Sequence, residues 1–357
     1  MNSDTTDLRY IIQKLVSNKN LSKIEIRQSM DLILQGKLSD ASIASFLVAL
    51  TMKGETSEEI CEILQAIKKF AIQITPKING CLIDNCGTGG DAMRSFNIST
   101  AAAIVASAGG AKVAKHGNRS TTGSCGSADF LEHIGFNLGS PPEIVTKAIE
   151  ENGIGFLYAQ MFHPALFQAA SARKTIGIRT IFNIIGPLCN PCTNICGKVI
   201  GVFEPMLLDT LPKVMQGSDI NEIMIVHSHD GFDELSNTSE NDIIWIKHGQ
   251  TKRIVLRPHD LNLRVARAEE LIATTREDSI RDTFQVIYGS ADSIKEDIVV
   301  LNASAALIVG GIAKDFKEGI DIARSAIKDD IASRKLSELI RRCGNVEKLE
   351  AAEKKYL

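Results

Sequence analysis

Three clusters of polar residues in this chain have the types and spacing to hold a charged small molecule. Gly87-Thr-Gly-Gly-Asp91 sets three glycines ahead of an aspartate. Lys115-His-Gly-Asn-Arg-Ser120 crowds a lysine, a histidine, an asparagine and an arginine into one turn, and Asp230-Gly-Phe-Asp-Glu234 ends in adjacent carboxylates. Glycines without Cβ atoms let backbone N–H groups come close to an anion. Lysine offers a phosphate a point charge, and asparagine adds a directional hydrogen bond. Adjacent carboxylates suit Mg²⁺, which takes one or two of them together with substrate phosphate oxygens. Each cluster alone also reads as a tight turn, a solvated charged loop or a pair of surface acids. Together they imply a Mg²⁺-assisted site for a phosphosugar or a nucleotide.

Gly87, Gly89 and Ala92 also satisfy a loose dinucleotide-binding pattern, but its context is missing. The next helix opens several residues after the loop, at Asn97-Ile-Ser-Thr100, and Ala106 to Gly110 occupy the place where an acidic residue would meet a ribose. Asn97, Ser99 and Thr100 can cap that helix, whose free N–H groups also attract phosphate; both roles can coexist.

The elements that must position these residues follow from periodicity. Residues 1–74 read as four short helices with caps at Ser22 (with Glu25), Ser39 or Asp40, and Thr56 (with Glu59). This small all-helical domain gives way to a large α/β domain over residues 75–357. Strands are expected at Cys81–Asn85, Lys112–Ala114, Gly155–Ala159, Lys198–Phe203, Glu222–His227 and Ile243–Lys247. Helices are expected at Ile98–Ala108, Ser127–Ile134, Pro142–Glu151, Pro164–Lys174 and Pro205–Met215, with a long helical tail from Ile294 to Arg342. Strand and helix alternating in this way favour a mainly parallel central sheet flanked by helices. Two loops after neighbouring strands then share the edge where such sheets bind ligands.

Composition sets the outer limits. The 357 residues are 44% hydrophobic and 23% charged, ordinary values for a globular protein, and the net charge of −3 argues against a broad nucleic-acid or acidic-membrane surface. No apolar stretch approaches the ~20 residues that span a bilayer, and the N-terminus lacks the pattern of a secretory signal. A cytoplasmic protein whose eight cysteines are reduced thiols, not a disulfide framework, is the expectation.

At this point GTGGD, NIST, KHGNRS, GSAD, ARKTIGIRTIFNIIGPLCNP and DGFDELS stand in an order and spacing that resemble the anthranilate phosphoribosyltransferases of tryptophan biosynthesis, over nearly the whole chain. The resemblance implies the nucleoside-phosphorylase-like phosphoribosyltransferase fold, with the helical domain completed by helices near 164–190, and a homodimer joined through that domain. It implies transfer of the phosphoribosyl group of 5-phosphoribosyl-1-pyrophosphate to the amine of anthranilate, with Mg²⁺ as cofactor. By the family's motifs, Gly87, Gly90, Asp91, Ser95, Asn97, Ser99, Thr100, Lys115, Gly123 and Ser127 surround the phosphoribosyl pyrophosphate. Ser99, Asp233 and Glu234 hold the metal. Gly87, Asn118 and Arg173 meet anthranilate, with His116 and Pro187 lining its approach. No catalytic base is assigned; His116 is the candidate.

Two residues depart from the family pattern, Ser124 standing where it carries lysine and Cys125 where it carries serine. Cys189, Cys192 and Cys196 form a C-x2-C-x3-C cluster that lacks a fourth ligand at suitable spacing, and it reads as coincidence. The rival readings are a pyrimidine nucleoside phosphorylase-like enzyme, whose phosphate loop differs from KHGNRS, and a non-catalytic nucleic-acid-binding relative, which would have lost the substrate residues.

Overall fold

The computed structural model describes residues 7–89, 95–120 and 125–357. Four helices come first: α1 (Leu8–Val16), α2 (Lys23–Leu34), α3 (Asp40–Lys53) and α4 (Ser57–Lys69). They begin where the capping residues stand. Ser22 with Glu25 and Thr56 with Glu59 form reciprocal capping boxes, and the Ser39 hydroxyl accepts the Ser42 N–H. Each box satisfies two N–H groups that the helix's own ladder leaves free. Glu59 does more than cap: it accepts the Leu21 N–H at 2.8 Å and pairs with the buried Lys53 ammonium at 2.7 Å, tying three helices together.

The apolar faces of these helices, with Ile11, Met30, Phe46 and Ile63 fully buried, close on Ala169, Ala172, Ile181, Phe182 and Ile185 from much later in the chain. Those later residues lie on a stretch of short helices, described below. The first four helices therefore share one core with a segment more than a hundred residues away.

The rest of the chain is built on one sheet. In chain order come β1 (Leu82–Gly87), α5 (Ile98–Ala108), β2 (Lys112–Gly117), α6 (Ser127–His133), α7 (Pro142–Asn152) and β3 (Ile154–Tyr158). Then follow α8 (Ala159–Phe162), a 3₁₀ turn at Pro164–Ala169, α9 (Ala170–Ile176), α10 (Ile181–Ile185), β4 (Ile195–Gly201), α11 (Leu207–Met215), β5 (Glu222–Ser228), β6 (Asn241–Lys247) and β7 (Gln250–Leu256). The chain closes with α12 (Arg276–Ile287), α13 (Ser293–Val309), α14 (Phe316–Lys328), α15 (Ile331–Cys343) and α16 (Val346–Tyr356). The strand order is β3-β2-β1-β4-β5-β6-β7, parallel through β5 and antiparallel for the last two. The chain steps outward from β1 through β2 to β3, then crosses to β4 on the other side of β1, and in such sheets the crevice at the carboxyl ends of the diverging strands is where ligands bind. The alanine-rich α5, buried along nearly its whole length, lies against α13 in the main core.

Several elements differ from the expectation. β2 runs on through Lys115 and His116, because Lys115 pairs with Phe156 and His116 with Leu157, so both residues are fixed in the sheet and not in a loop. Pro164–Lys174 is a 3₁₀ turn followed by α9. The tail is not one long helix; it breaks at Gly310-Gly311 and again at Asp330, whose φ of 57° is left-handed. The hairpin partner β7 has no counterpart among the expected strands, since its exposed, charged edge lacks the apolar run of a buried strand, and α12 and α16 have none among the expected helices. Finally, Cys81 and Cys196 are paired as a disulfide, their Cα atoms 5.5 Å apart, against the expectation of reduced thiols throughout. The register Leu82↔Ile195 between adjacent strands brings the two side by side. Six other cysteines are free.

Candidate active site

The loops that follow β1, β2 and β5, together with the 173–189 segment, enclose a cavity of about 310 Å³. Its walls come from both hydrophobic cores, Phe96 from the sheet side and Phe182 and Ile185 from the helical side. A cleft between two packed units is a common place for a small-molecule site.

At one end lie oxygen donors. The Asp233 carboxylate accepts the Gly89 N–H at 2.6 Å, and Gly87 lies so near that a Cβ there would overlap both the carboxylate and the carbonyl of Asp233. Glycine at 87 is thus required by close approach. Glu234 accepts the Ser99 N–H at 3.3 Å, at the first turn of α5. Lys115 reaches across from β2, donating to the Asn85 carbonyl at 2.8 Å and to the Ser99 hydroxyl at 3.4 Å, and the Asn85 amide in turn donates to the Ser99 carbonyl at 2.8 Å. Burial pushes the Asp233 carboxyl above its usual range, while the Gly89 N–H pulls the other way. Two carboxylates and a hydroxyl, all hard oxygen donors converging on one corner, fit Mg²⁺.

The lining also includes apolar and aromatic side chains. Arg173 on α9 stands 4.9 Å over the Phe182 ring, and burial lowers its pKa; among the described residues no carboxylate pairs with it. Leu166, Pro187 and Phe182 line the same cavity. His116, at the end of β2, donates its backbone N–H to Asp84 at 3.2 Å, and its Nδ1 lies 3.2 Å from the Gly186 carbonyl. That carbonyl can only accept, so the proton belongs on Nδ1. Burial pushes the His116 ring down to about 4, hence it is neutral at physiological pH. Asn118 sits at the rim, where its side-chain oxygen accepts the Arg119 N–H at 2.8 Å.

Of the residues singled out from sequence, Gly87, Ser95, Asn97, Ser99, Lys115, His116, Asn118, Ser127, Arg173, Pro187, Asp233 and Glu234 all face this one cavity. Thr100 does not: its side chain is buried in the core beneath α5. Gly90, Asp91, Gly123 and Ser124 lie outside the described residues. Asn97 occupies the N-cap position of α5 without a side-chain cap, because its amide instead donates to Ser279 of α12 at 3.1 Å. Burial raises the thiol of Cys125, which also faces the cavity, as expected of an unactivated cysteine. The C-x2-C-x3-C cluster is not a site. Cys196 is bonded to Cys81, Cys192 lies in a separate apolar cluster, and Cys189 alone turns toward the cavity.

Residues that the sequence reading does not single out also contribute. His163 and Asn183 line the cavity, and Asn302 on α13 clamps the acidic loop by accepting the Leu235 N–H at 3.0 Å and donating to the Leu235 carbonyl at 2.7 Å. A lone histidine or asparagine carries no spacing signal, so only the fold reveals them.

Comparison with known proteins bears on the same elements. The glycosyl transferase family helical bundle domain matches residues 9–71, and the a/b domain of that family matches residues 79–333. The anthranilate phosphoribosyltransferase of Acetivibrio thermocellus is 42% identical over 333 residues, spanning 93% of this chain and 96% of that protein. The crystal structure of the Thermus thermophilus enzyme of that name superposes with a TM-score of 0.86 at 34% identity, covering 95% of this chain and 99% of the other. The Saccharomyces cerevisiae enzyme, solved in complex with PRPP and Mg, gives a TM-score of 0.85 at 25% identity, with 95% and 99% covered. On sequence, domain content and fold alike, the chain belongs to the anthranilate phosphoribosyltransferase family.

Proposed function

We infer that this chain transfers the phosphoribosyl group of 5-phosphoribosyl-1-pyrophosphate to the amine of anthranilate, releasing pyrophosphate. The observation that carries the reading is the polarity of one cavity. Lys115, Asp233, Glu234 and Ser99 gather at one end, and Arg173 without a carboxylate partner among the described residues stands over an aromatic wall at the other. The first end suits a diphosphate with its metal, and the second suits a planar ring bearing a carboxylate, which a guanidinium pairs with well.

In this reading Gly87, Ser95, Asn97, Ser99, Lys115 and Ser127, with Gly90, Asp91 and Gly123 from the same two loops, surround the phosphoribosyl pyrophosphate, and Asn118, Arg173, His116 and Pro187 receive anthranilate. Mg²⁺ held by Asp233, Glu234 and Ser99 would neutralise charge on the departing pyrophosphate. The C1–oxygen bond to pyrophosphate breaks as the amine nitrogen forms its bond to C1. Lys115 and the amides of the glycine loop stabilise the charge that develops on the leaving group. The amine of an aromatic acid is unprotonated at neutral pH, so holding it against C1 contributes more than a strong base would. His116, kept neutral by burial, is the candidate for the proton that the amine gives up.

The same reading divides the chain into a helical part, residues 1–74 completed by 164–190, and a catalytic part, residues 75–357. It makes the protein a cytoplasmic homodimer joined through the helical part; the exposed Tyr10, Val16, Ile24 and Met52 on α1 to α3 support that surface. The test of the reaction is direct. With phosphoribosyl pyrophosphate and Mg²⁺ present, the fluorescence of anthranilate disappears in proportion to enzyme; folded protein that leaves the signal unchanged would refute the reading.

A further inference from the structure

On the acceptor side three buried groups stand together: His116, the candidate for the amine's proton, and His163 and Cys189, to which the proposed reaction gives no work. One ring nitrogen each of His116 and His163 and the sulfur of Cys189 all lie within 4.8 Å of one another. All three residues are buried, at 3%, 2% and 1% exposure, yet each borders the cavity, so a small ion has a way in. Neither ring nitrogen of His163 makes a hydrogen bond of normal geometry, although the Cys189 backbone lies near that ring, and Nε2 of His116 is also without a partner. Buried polar atoms are nearly always hydrogen-bonded, and a cluster of exceptions calls for an occupant. The two imidazole rings stand 5.2 Å apart, edge to face, and both His116 Nδ1 and the Cys189 thiol lean on the Gly186 carbonyl, at 3.2 and 3.4 Å.

We propose that His116, His163 and Cys189 form a binding site for a soft divalent cation, Zn²⁺ in particular, separate from the carboxylate corner that suits Mg²⁺. Two imidazoles and a thiolate are the donor types Zn²⁺ prefers, and three protein ligands leave a fourth position for water or a substrate atom. Ligand atoms around tetrahedral zinc are roughly 3.3 to 3.8 Å apart, given bond lengths of about 2.0 to 2.3 Å, so closure from the observed spacing needs small side-chain rotations only. Binding releases one proton, from the Cys189 thiol, because the thiolate is the ligand. Burial holds both imidazoles neutral, the form that ligates, and pushes the Cys189 thiol up to about 12, a cost the metal must overcome. Since the site borders the wall that carries Arg173 and Pro187, an ion there obstructs the acceptor; this consequence rests on the phosphoribosyl-transfer reading, whereas the site itself does not.

The test uses the full-length protein in excess Mg²⁺, which saturates the carboxylate corner. Titration with Co²⁺, which takes zinc sites and reports its ligands by colour, is expected to give one equivalent of a near-ultraviolet thiolate-to-cobalt absorption. Zn²⁺ displaces it. Cys189→Ala abolishes that band, and His163→Gln weakens Co²⁺ binding about tenfold or more. A wild-type protein without the band overturns the proposal, as does a Cys189→Ala protein that keeps it. Should either variant fail to fold, the wild-type spectrum alone decides. In the activity assay, Zn²⁺ raises the apparent KM for anthranilate in wild type and not in Cys189→Ala; a protein with the cobalt band but without transferase activity would contradict the transferase reading and leave the metal site standing.

Discussion

In the proposed reaction, Arg173 is the residue assigned to the acceptor's carboxylate. Its guanidinium has no carboxylate partner among the described residues and lies 4.9 Å over the Phe182 ring, which leaves its N–H groups open to a bidentate partner. Arg173→Ala is expected to raise the KM for anthranilate about tenfold to a hundredfold, the worth of a charged hydrogen-bonded pair, with a much smaller change for phosphoribosyl pyrophosphate. Equal effects on both substrates would contradict the assignment. His116 and His163 make a prediction about stability. Burial holds their folded pKa values down to about 4 and about 3 from an ordinary 6.5. Below pH 6.5 the unfolded chain takes up protons that the folded chain refuses, so stability is complete above that pH and falls as pH drops toward 4. Each histidine accounts for on the order of 3 kcal/mol of that fall. Urea unfolding of His163→Gln between pH 7 and 4.5 should therefore show a shallower decline than wild type; parallel curves would exclude this role. At this scale the sequence is informative where charged and polar types cluster, as at Lys115 to Ser120, and silent where a residue stands alone. His163 and Cys189 belong to no local pattern, and only the turn that brings Gly186 back against His116 makes them neighbours.

The acidic loop after β5 shows how an element holds a site. Asp233 and Glu234 are fixed from three sides, by the Gly89 N–H, by the Ser99 N–H and by the clamp of Asn302 on Leu235. Removing both carboxylates, in Asp233→Ala with Glu234→Ala, is expected to abolish turnover at any Mg²⁺ concentration. Removing the clamp is subtler. Asn302→Ala leaves the carboxylates in place but frees their loop, and the Mg²⁺ concentration for half-maximal activity should rise about tenfold, the scale on which supporting residues tune metal affinity. An unchanged Mg²⁺ curve in a folded Asn302→Ala protein would show that the clamp serves stability alone. Elements with their own caps and periodicity, such as α2 and α4, are legible because the signal is local. β7 is not, since an edge strand with exposed Lys252 and Arg253 looks like a solvated loop until β6 is there to pair with it. The continuation of β2 through Lys115 and His116 is hidden for the same reason: pairing with β3, not propensity, sets where the strand ends.

Across the whole molecule, two hydrophobic cores meet at the cavity, and the sheet's parallel strands deliver its three polar loops to one edge. The mainly parallel sheet is readable from the alternation of apolar runs and helices. The antiparallel hairpin that completes it is not, because strand direction depends on connections that composition does not reveal. The rival activities of this architecture separate on the acceptor. A pyrimidine nucleoside phosphorylase-like enzyme would use inorganic phosphate, and a nucleic-acid-binding relative would use none. The most direct measurement is therefore stoichiometric: pyrophosphate released and anthranilate consumed, followed together in one reaction with phosphoribosyl pyrophosphate and Mg²⁺. One pyrophosphate for each anthranilate lost, with no release when anthranilate is omitted, is the predicted result. Pyrophosphate release that ignores anthranilate, or cleavage of a pyrimidine nucleoside by phosphate in its place, would contradict the account.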